Sequence, residues 1–452
     1  MRWLPLFAVV TVNLWSAVSA AKPLPPTQDP WYDQPADIDT YAPGETIRSR
    51  EISNQLQPFL PLPVDVSVEA VHQFLFRTTD SLGNPVAAVN TLIKPRNADP
   101  SKLLAYALYY DSSNPSCEPS YTLQPGSDPA GLPGIVSANS TLSTDTAFLA
   151  ASLNQGWWVV ATDYEGLDAH FSAGVISGQA TLDGVRSALI EGPKLGLAKD
   201  ARYAMWGYSG GSIAVNNAAE LQPTYAPELN FVGAAAGGNI ANLSSTLTTV
   251  TGGPFAGLAF GSINGLAKAY PNVSDWLEQS LVPEKKAEFD ELANSCLIGE
   301  STGGFLKNVY LYFVNGEASF AEDVPQSVMR LAGQMGVHGT PKMPMYIYKP
   351  VHDEISPGAD TDELVDTYCD GGATVEYIRD LAGGHASLWI TGSANAMGWI
   401  ADRLEGKEVS HPGSCTKKDV LLSELNADMI PFFGRELWST LKWTLGGILG
   451  PH

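Results

Sequence analysis

Two kinds of apolar pattern run along the chain. Val68 to Thr78 and Val86 to Ile93 alternate apolar and polar positions around Leu82-Gly83-Asn84-Pro85, which predicts an antiparallel hairpin. Leu103 to Tyr110 and Trp157 to Thr162 are continuous apolar runs, the pattern of strands buried on both faces of a mostly parallel sheet. Thr181 to Leu197 offers a helical stripe through Leu182, Val185 and Leu189. Arg202 to Trp206 and Phe231 to Ala236 read as strands flanking a short helix from Gly211 to Leu221. The rhythm resumes late, with Met343 to Tyr348 as strand, Thr361 to Tyr368 as helix, Thr374 to Ile378 as strand and Ala386 to Arg403 as helix. Strand and helix in alternation predict an α/β fold whose sheet is completed near the C-terminus.

Residues 239–337 break this rhythm with helical, Gly-rich and acidic pieces, and read as an inserted cap. Leu229 to Ala267 holds no charged residue, but its many Gly, Asn, Ser and Thr argue against a membrane span. It is either a buried part of the insertion or an apolar lid facing a lipid-like substrate. At the other end, Met1 and Arg2 precede the apolar stretch Trp3 to Trp15, then small residues ending at Val18-Ser19-Ala20, the form of a secretory signal peptide cut after Ala20. Pro23 to Thr46, rich in Pro, Asp and Tyr, is expected to wrap the surface as an extended arm. The resulting division is residues 1–20 signal peptide, 21–238 first part of the core, 239–337 cap, and 338–452 second part of the core.

Composition narrows the function. With 26 Lys and Arg against 48 Asp and Glu, the net charge of −22 excludes a phosphate-binding, nucleic-acid role. Hydrophobic residues make up 44% of the 452, enough for a large core, so general disorder is excluded. Cys117, Cys296, Cys369 and Cys415 form an even set in a chain bound for an oxidising compartment, so two disulfides are expected. Three pairings are open; closeness in sequence favours Cys369 with Cys415, leaving Cys117 with Cys296. Asn139, Asn242 and Asn272 head N-glycosylation acceptor triplets. No H-E-x-x-H occurs and the seven histidines do not cluster, so neither a metal nor another cofactor is called for.

Gly207-Tyr208-Ser209-Gly210-Gly211 matches G-x-S-x-G between an apolar strand and a helix-compatible segment. A serine on a strained strand-to-helix turn needs small neighbours if its Oγ is to project from the sheet. Gly299-Glu300-Ser301-Thr302-Gly303 matches too, but follows the polar, helix-like Glu284 to Ser295 and reads as an ordinary Gly-rich turn. A serine hydroxyl needs a histidine to take its proton and a carboxylate to orient that histidine, in the chain order Ser, acid, His for this kind of sheet. Downstream stand His338, His352, His385, His411 and His452. His385 alone follows a strand through a short loop, Gly383-Gly384, into an apolar helix, the place where such sheets put chemistry. Asp353 in Lys349-Pro350-Val351-His352-Asp353-Glu354 is the chosen acid, with Glu354 and Asp360 in reserve; either could instead cap the next helix. An oxyanion hole needs two aimed amides, assigned to Gly210 and to Asp111 in Tyr109-Tyr110-Asp111-Ser112-Ser113, whose side chain is expected to brace that loop.

These residues resemble the fungal secretory lipases of the Candida lipase A type. The resemblance rests on Tyr110-Asp111-Ser112, Gly207 to Gly211, His352-Asp353-Glu354-Ile355, Gly384-His385 and the four cysteines, and spans nearly all of the chain after the signal peptide. It implies an α/β-hydrolase core with a mainly helical cap inserted after the sixth strand and acyl hydrolysis or transfer on lipid esters. It also implies Ser209, Asp353 and His385 as triad, the amides of Asp111 and Gly210 as oxyanion hole, and disulfides Cys117–Cys296 and Cys369–Cys415. Met429-Ile430-Pro431-Phe432-Phe433-Gly434 matches the family's C-terminal flap. Gly384 stands where a lipase of this type has glutamate.

The expected activity is therefore that of a secreted, extracellular serine hydrolase cleaving acylglycerols through an acyl-enzyme, its partners an ester substrate and, transiently, a lipid–water interface. Two other readings are an esterase or acyltransferase for a small specialised metabolite, and a catalytically dead hydrolase fold that only binds.

Overall fold

The computed structural model describes residues 22–57, 66, 68–128 and 140–423. The signal-peptide junction, Asn139, the Met429–Gly434 segment and His452 lie outside the described residues.

Ten strands among the described residues form one sheet: β1 (Thr46–Ile52), β2 (Ala70–Thr79), β3 (Pro85–Lys94), β4 (Lys102–Ala107), β5 (Trp158–Thr162), β6 (Arg202–Tyr208), β7 (Gly233–Gly237), β8 (Met345–Pro350), β9 (Val375–Asp380) and β10 (Cys415–Val420). Their order is β1-β2-β3-β5-β4-β6-β7-β8-β9-β10. The pairs β1–β2, β2–β3 and β3–β5 are antiparallel and the rest are parallel. The predicted hairpin is β2–β3, with Thr79 paired to Pro85 across the turn.

The continuous apolar runs are the central strands. Every residue of β5, β7 and β8 is buried. β7 is Gly-Ala-Ala-Ala-Gly, and its last position has no room for a side chain: a Cβ on Gly237 would lie 2.1 Å from the Tyr348 ring. Burial of aromatics such as Trp158, Trp206 and Phe148 contributes about 1.5–3 kcal/mol each. The outer strands β1 and β10 escaped the hydrophobic pattern since they carry charges, Arg48, Arg50 and Glu51 on one and Lys417, Lys418 and Asp419 on the other. Charged edges block pairing with other chains.

The helices are α1 (Pro119–Thr122), α2 (Ser140–Asn154), α3 (Gly174–Leu195), α4 (Gly210–Tyr225), α5 (Leu243–Val250), α6 (Gly257–Ala269), α7 (Pro271–Ser280), α8 (Lys286–Ala293), α9 (Leu297–Gly303), α10 (Asp323–Ala332), α11 (Gly358–Asp370) and α12 (His385–Leu404). One core layer joins the sheet to α3, α4, helices α5 to α8, α10 and α11; the other joins its opposite face to α2 and α12. This is an α/β-hydrolase fold. Helices α5 to α10 all lie between β7 and β8. The insertion follows the strand read from the sequence over Phe231 to Ala236, counted there as the sixth and here as β7 because the polar strand β1 precedes those the apolar pattern predicted.

Pro23 to Thr46 is not an extended arm. Its prolines and aspartates fold it into three short 3₁₀ turns, with Tyr32 buried and its hydroxyl 3.0 Å from Ser120 Oγ. The cysteines pair as Cys117–Cys296 and Cys369–Cys415. The first bond ties the loop after β4 to the start of α9, and the second ties α11 to β10.

Candidate active site

The first G-x-S-x-G copy sits where β6 ends and α4 begins. Ser209 has φ +53°, a left-handed conformation that costs a non-glycine residue of order 1–3 kcal/mol. Its neighbours make that turn possible. A Cβ on Gly211 would sit 2.1 Å from the Ala107 carbonyl oxygen of β4, and one on Gly207 2.4 Å from the carbonyl oxygen of Gly211. Glycine lets the strand and helix backbones approach this closely.

His385, the first residue of α12, meets this turn from the far side of the sheet order. Its Nε2 lies 2.9 Å from Ser209 Oγ, and its Nδ1 lies 2.7 Å from Asp353 Oδ2. Asp353 is in the loop after β8. Its Oδ1 accepts from the amides of Ile355 at 2.8 Å and Ser356 at 3.0 Å, so it closes its own turn rather than capping α11. All three side chains are buried. Burial raises the Asp353 carboxyl, but His385 and Lys349 outweigh it and hold the group well below the usual carboxylate range. A hydroxyl, an imidazole and an ionised carboxylate in this chain can pass the hydroxyl proton to the ring.

The main chain of His385 is held as firmly as its ring. Glu354 Oε2 accepts from the His385 amide at 2.8 Å, and the Tyr208 hydroxyl donates to the His385 carbonyl at 2.7 Å. Each is the sequence neighbour of a residue that touches the ring system, Asp353 or Ser209. A Cβ on Gly384 would lie 2.8 Å from Glu354 Oε2, so in this chain a carboxylate from the Asp353 loop fills the space beside the histidine. Sequence reasoning held Glu354 only as a reserve acid and gave Tyr208 no role. Asp360, the other reserve, accepts from Ser245 Oγ on α5.

Asp111 and Gly210 both line the cavity beside Ser209. Gly210 is the first residue of α4, where a helix leaves its amides without intrahelical acceptors. Asp111 has φ +40°. Its carboxyl lies against Gly210, leaving Oδ1 buried and without a partner among the described residues. Burial pushes this carboxyl up to about 7, with His385 pulling the other way. The loop is not braced by Asp111, as the sequence suggested, since that side chain turns inward. Ser112 Oγ instead donates to the Ser295 carbonyl at 2.8 Å, and Ser113 Oγ to the Ala293 carbonyl at 2.6 Å. With the Cys117–Cys296 bond, these tie the loop after β4 to the junction of α8 and α9.

The cavity, of about 40 Å³, takes its wall from the insertion: Leu243, Leu247 and Val250 of α5, Ile263 of α6 and Met329 of α10 line it together with Ser209. The charge-free stretch from Leu229 to Ala267 is now explained. It supplies the buried strand β7 and then this apolar wall.

The remaining candidates lie elsewhere. His338 Nε2 is 2.8 Å from the Leu331 carbonyl oxygen, while His352 and His411 are exposed. The second G-x-S-x-G copy is not a turn but helix α9, stabilised by Thr302 Oγ1 donating to the Ile298 carbonyl at 2.7 Å. Among the described residues no group of three His, Cys, Asp or Glu side chains could hold a metal ion. Nor is any helix among them long and apolar enough to cross a membrane.

Comparison with known proteins shows what the whole chain is similar to. A family model described as secretory lipase matches residues 135–411. Lipase A of Arthroderma benhamiae is 37% identical over 95% of this chain and 90% of its own. The trichothecene C-3 esterase of Fusarium sporotrichioides is 31% identical over 93% of this chain and 95% of its own. The crystal structure of Candida antarctica lipase A in its closed state superposes with a TM-score of 0.80 at 28% identity, covering 94% of this chain and 96% of that one. Fold, site geometry and whole-chain similarity converge, and the chain belongs to the secretory lipase family, a family of carboxylic ester hydrolases.

Proposed function

We propose that the protein is a secreted triacylglycerol lipase. Ser209 attacks the ester carbonyl as His385 takes its proton, and Asp353 stabilises the imidazolium that forms. The amides of Asp111 and Gly210 hold the oxyanion, the alcohol leaves with the proton from His385, and water then hydrolyses the acyl-enzyme. Helices α5 to α10 act as a cap, residues 239–337, and accept the acyl chain against Leu243, Leu247, Val250, Ile263 and Met329.

The observation that carries this reading is the Ser209–His385–Asp353 chain of contacts opening onto an apolar cavity wall. Release of fatty acid from emulsified long-chain triacylglycerol, lost in Ser209→Ala while the protein still unfolds cooperatively, is the expected result. Undiminished release by that variant overturns it. Secretion rests on the N-terminal leader and the two disulfides, and the first residue of exported protein should be Ala21. Of the glycosylation acceptors, Asn272 is exposed and open to a glycan, whereas Asn242 is half-buried and caps α5 by accepting from the Ser244 amide at 2.9 Å.

A second reading keeps the same chemistry on a small specialised metabolite. The similarity over 93% of the chain to a trichothecene esterase favours it. A chain-length series separates the two. Preference for acetyl or butyryl esters, with no response to an emulsified surface, selects the metabolite esterase.

A further inference from the structure

Strand β8 is buried along its whole length, yet its fifth residue is Lys349. The ammonium is wholly shielded from solvent and donates to Asp353 Oδ2 at 2.8 Å and to the Asn239 carbonyl at 2.8 Å. A buried cation needs such partners, since desolvation costs several kcal/mol per ion. An aliphatic side chain at this position would fill the core without that cost. Lys349 therefore calls for a reason beyond packing.

The reason lies in the atom it contacts. Oδ2 is also the oxygen that faces His385 Nδ1 at 2.7 Å. Two donors converge on one carboxylate oxygen. Lys349 Nζ already pairs with that oxygen in the resting site, whereas His385 becomes a cation only when the ring is protonated. We infer that Lys349 is a positioning and charge-tuning residue: it fixes Asp353 and competes with the His385 imidazolium for that carboxylate, so the ring stays neutral, and able to accept the Ser209 proton, in more acidic medium. The inference rests on the triad reading above.

The other groups around this centre leave Lys349 as the second cation on Asp353 among the described residues. Asp353 Oδ1 is taken by the amides of Ile355 and Ser356, and Glu354 by the His385 amide. Tyr208 of β6 packs edge-on against the His385 ring, and Asp111 from the loop after β4 acts on it electrostatically. Asp360 of α11 acts on the Lys349 ammonium at longer range. Arg379, the in-register neighbour of Lys349 on β9, is ion-paired with Asp362 at 3.1 Å and Asp419 at 3.1 Å. Burial pushes the Lys349 ammonium down, and Asp353 pulls it back up.

The test compares the parent with Lys349→Gln, which keeps a donor without charge, Lys349→Met, which removes both, and Lys349→Arg, which restores charge. For each, kcat/KM on a soluble short-chain ester is followed from acid to neutral pH, with Ser209→Ala as the blank. The position of the acidic limb is independent of how much of each variant folds. The expected result is that the limb moves up by about one pH unit in the Gln and Met variants and less in the Arg variant, while the neutral plateau changes by less than about tenfold. A limb that stays at the parent position in both uncharged variants overturns the inference, and a fallen plateau with an unmoved limb marks Lys349 as a structural tie alone. If the Ser209→Ala blank is as active as the parent, the triad reading fails and this inference with it. If the blank is inactive and the limb does not move, only this inference fails.

Discussion

The chain writes G-x-S-x-G twice and folds it in two ways. Gly207–Gly211 is a strand-to-helix turn with its serine at φ +53°, whereas Gly299–Gly303 is the regular end of a short helix. Ser209 is pressed between β4, β6 and α4, and its Oγ meets an imidazole. Ser301 meets no such partner among the described residues, and the side chain before it, Glu300, is buried against Gly261 of α6. Five residues therefore do not make a nucleophile. The strand before them and the backbone beside them do.

The sharpest break of this comparison is at the serines. Ser209→Ala should lower ester hydrolysis by about 10⁴-fold or more, and Ser301→Ala by less than about threefold, in initial rates on a chromogenic ester. Next come the final pattern glycines. Gly211→Ala drives a Cβ into the Ala107 carbonyl and should cost about 3 kcal/mol or more by urea unfolding. Gly303→Ala meets only the end of the Leu292 side chain and should cost about 1 kcal/mol or less.

The middle positions give a smaller effect. Tyr208→Phe removes the donor to the His385 carbonyl, and should lower kcat by about tenfold with KM nearly unchanged and cost about 1 kcal/mol of stability. Glu300→Gln tests the other copy through pH. Burial raises the Glu300 carboxyl well above its usual range, with Asp111 and Glu165 adding to the shift. The folded state thus keeps a proton that the unfolded state gives up once pH exceeds the ordinary glutamate value. Stability must then fall as pH rises through that window. The variant's advantage in melting temperature over the parent should be least in acid and grow toward neutral pH. A constant difference across pH would show that Glu300 does not titrate differently on folding.

Much of the site was legible because its chemistry demands particular residues in a fixed order along an alternating fold. Ser209, Asp353 and His385 each follow a strand, and the structure brings the three side chains together. The contributions of Tyr208, Glu354 and Lys349 were not read, because each acts on a residue distant in sequence or through a shared atom. Lys349 left one signal, a lone charge in an otherwise apolar strand four residues before Asp353. The edge strands β1 and β10 were hidden for the opposite reason, being too charged to show a hydrophobic pattern.

By itself the sequence determined what local physics controls: strands buried on both faces, helices after them, glycines where a serine must turn sharply, and cysteines in an even set. Tertiary structure alone decided which of two identical patterns strains its serine, and which oxygen of Asp353 receives both His385 and Lys349. It also decided which helices of the insertion face Ser209. Hydrophobic periodicity is a property of neighbours along the chain, whereas hydrogen-bond geometry and burial of charge depend on segments that only folding brings within a few ångströms.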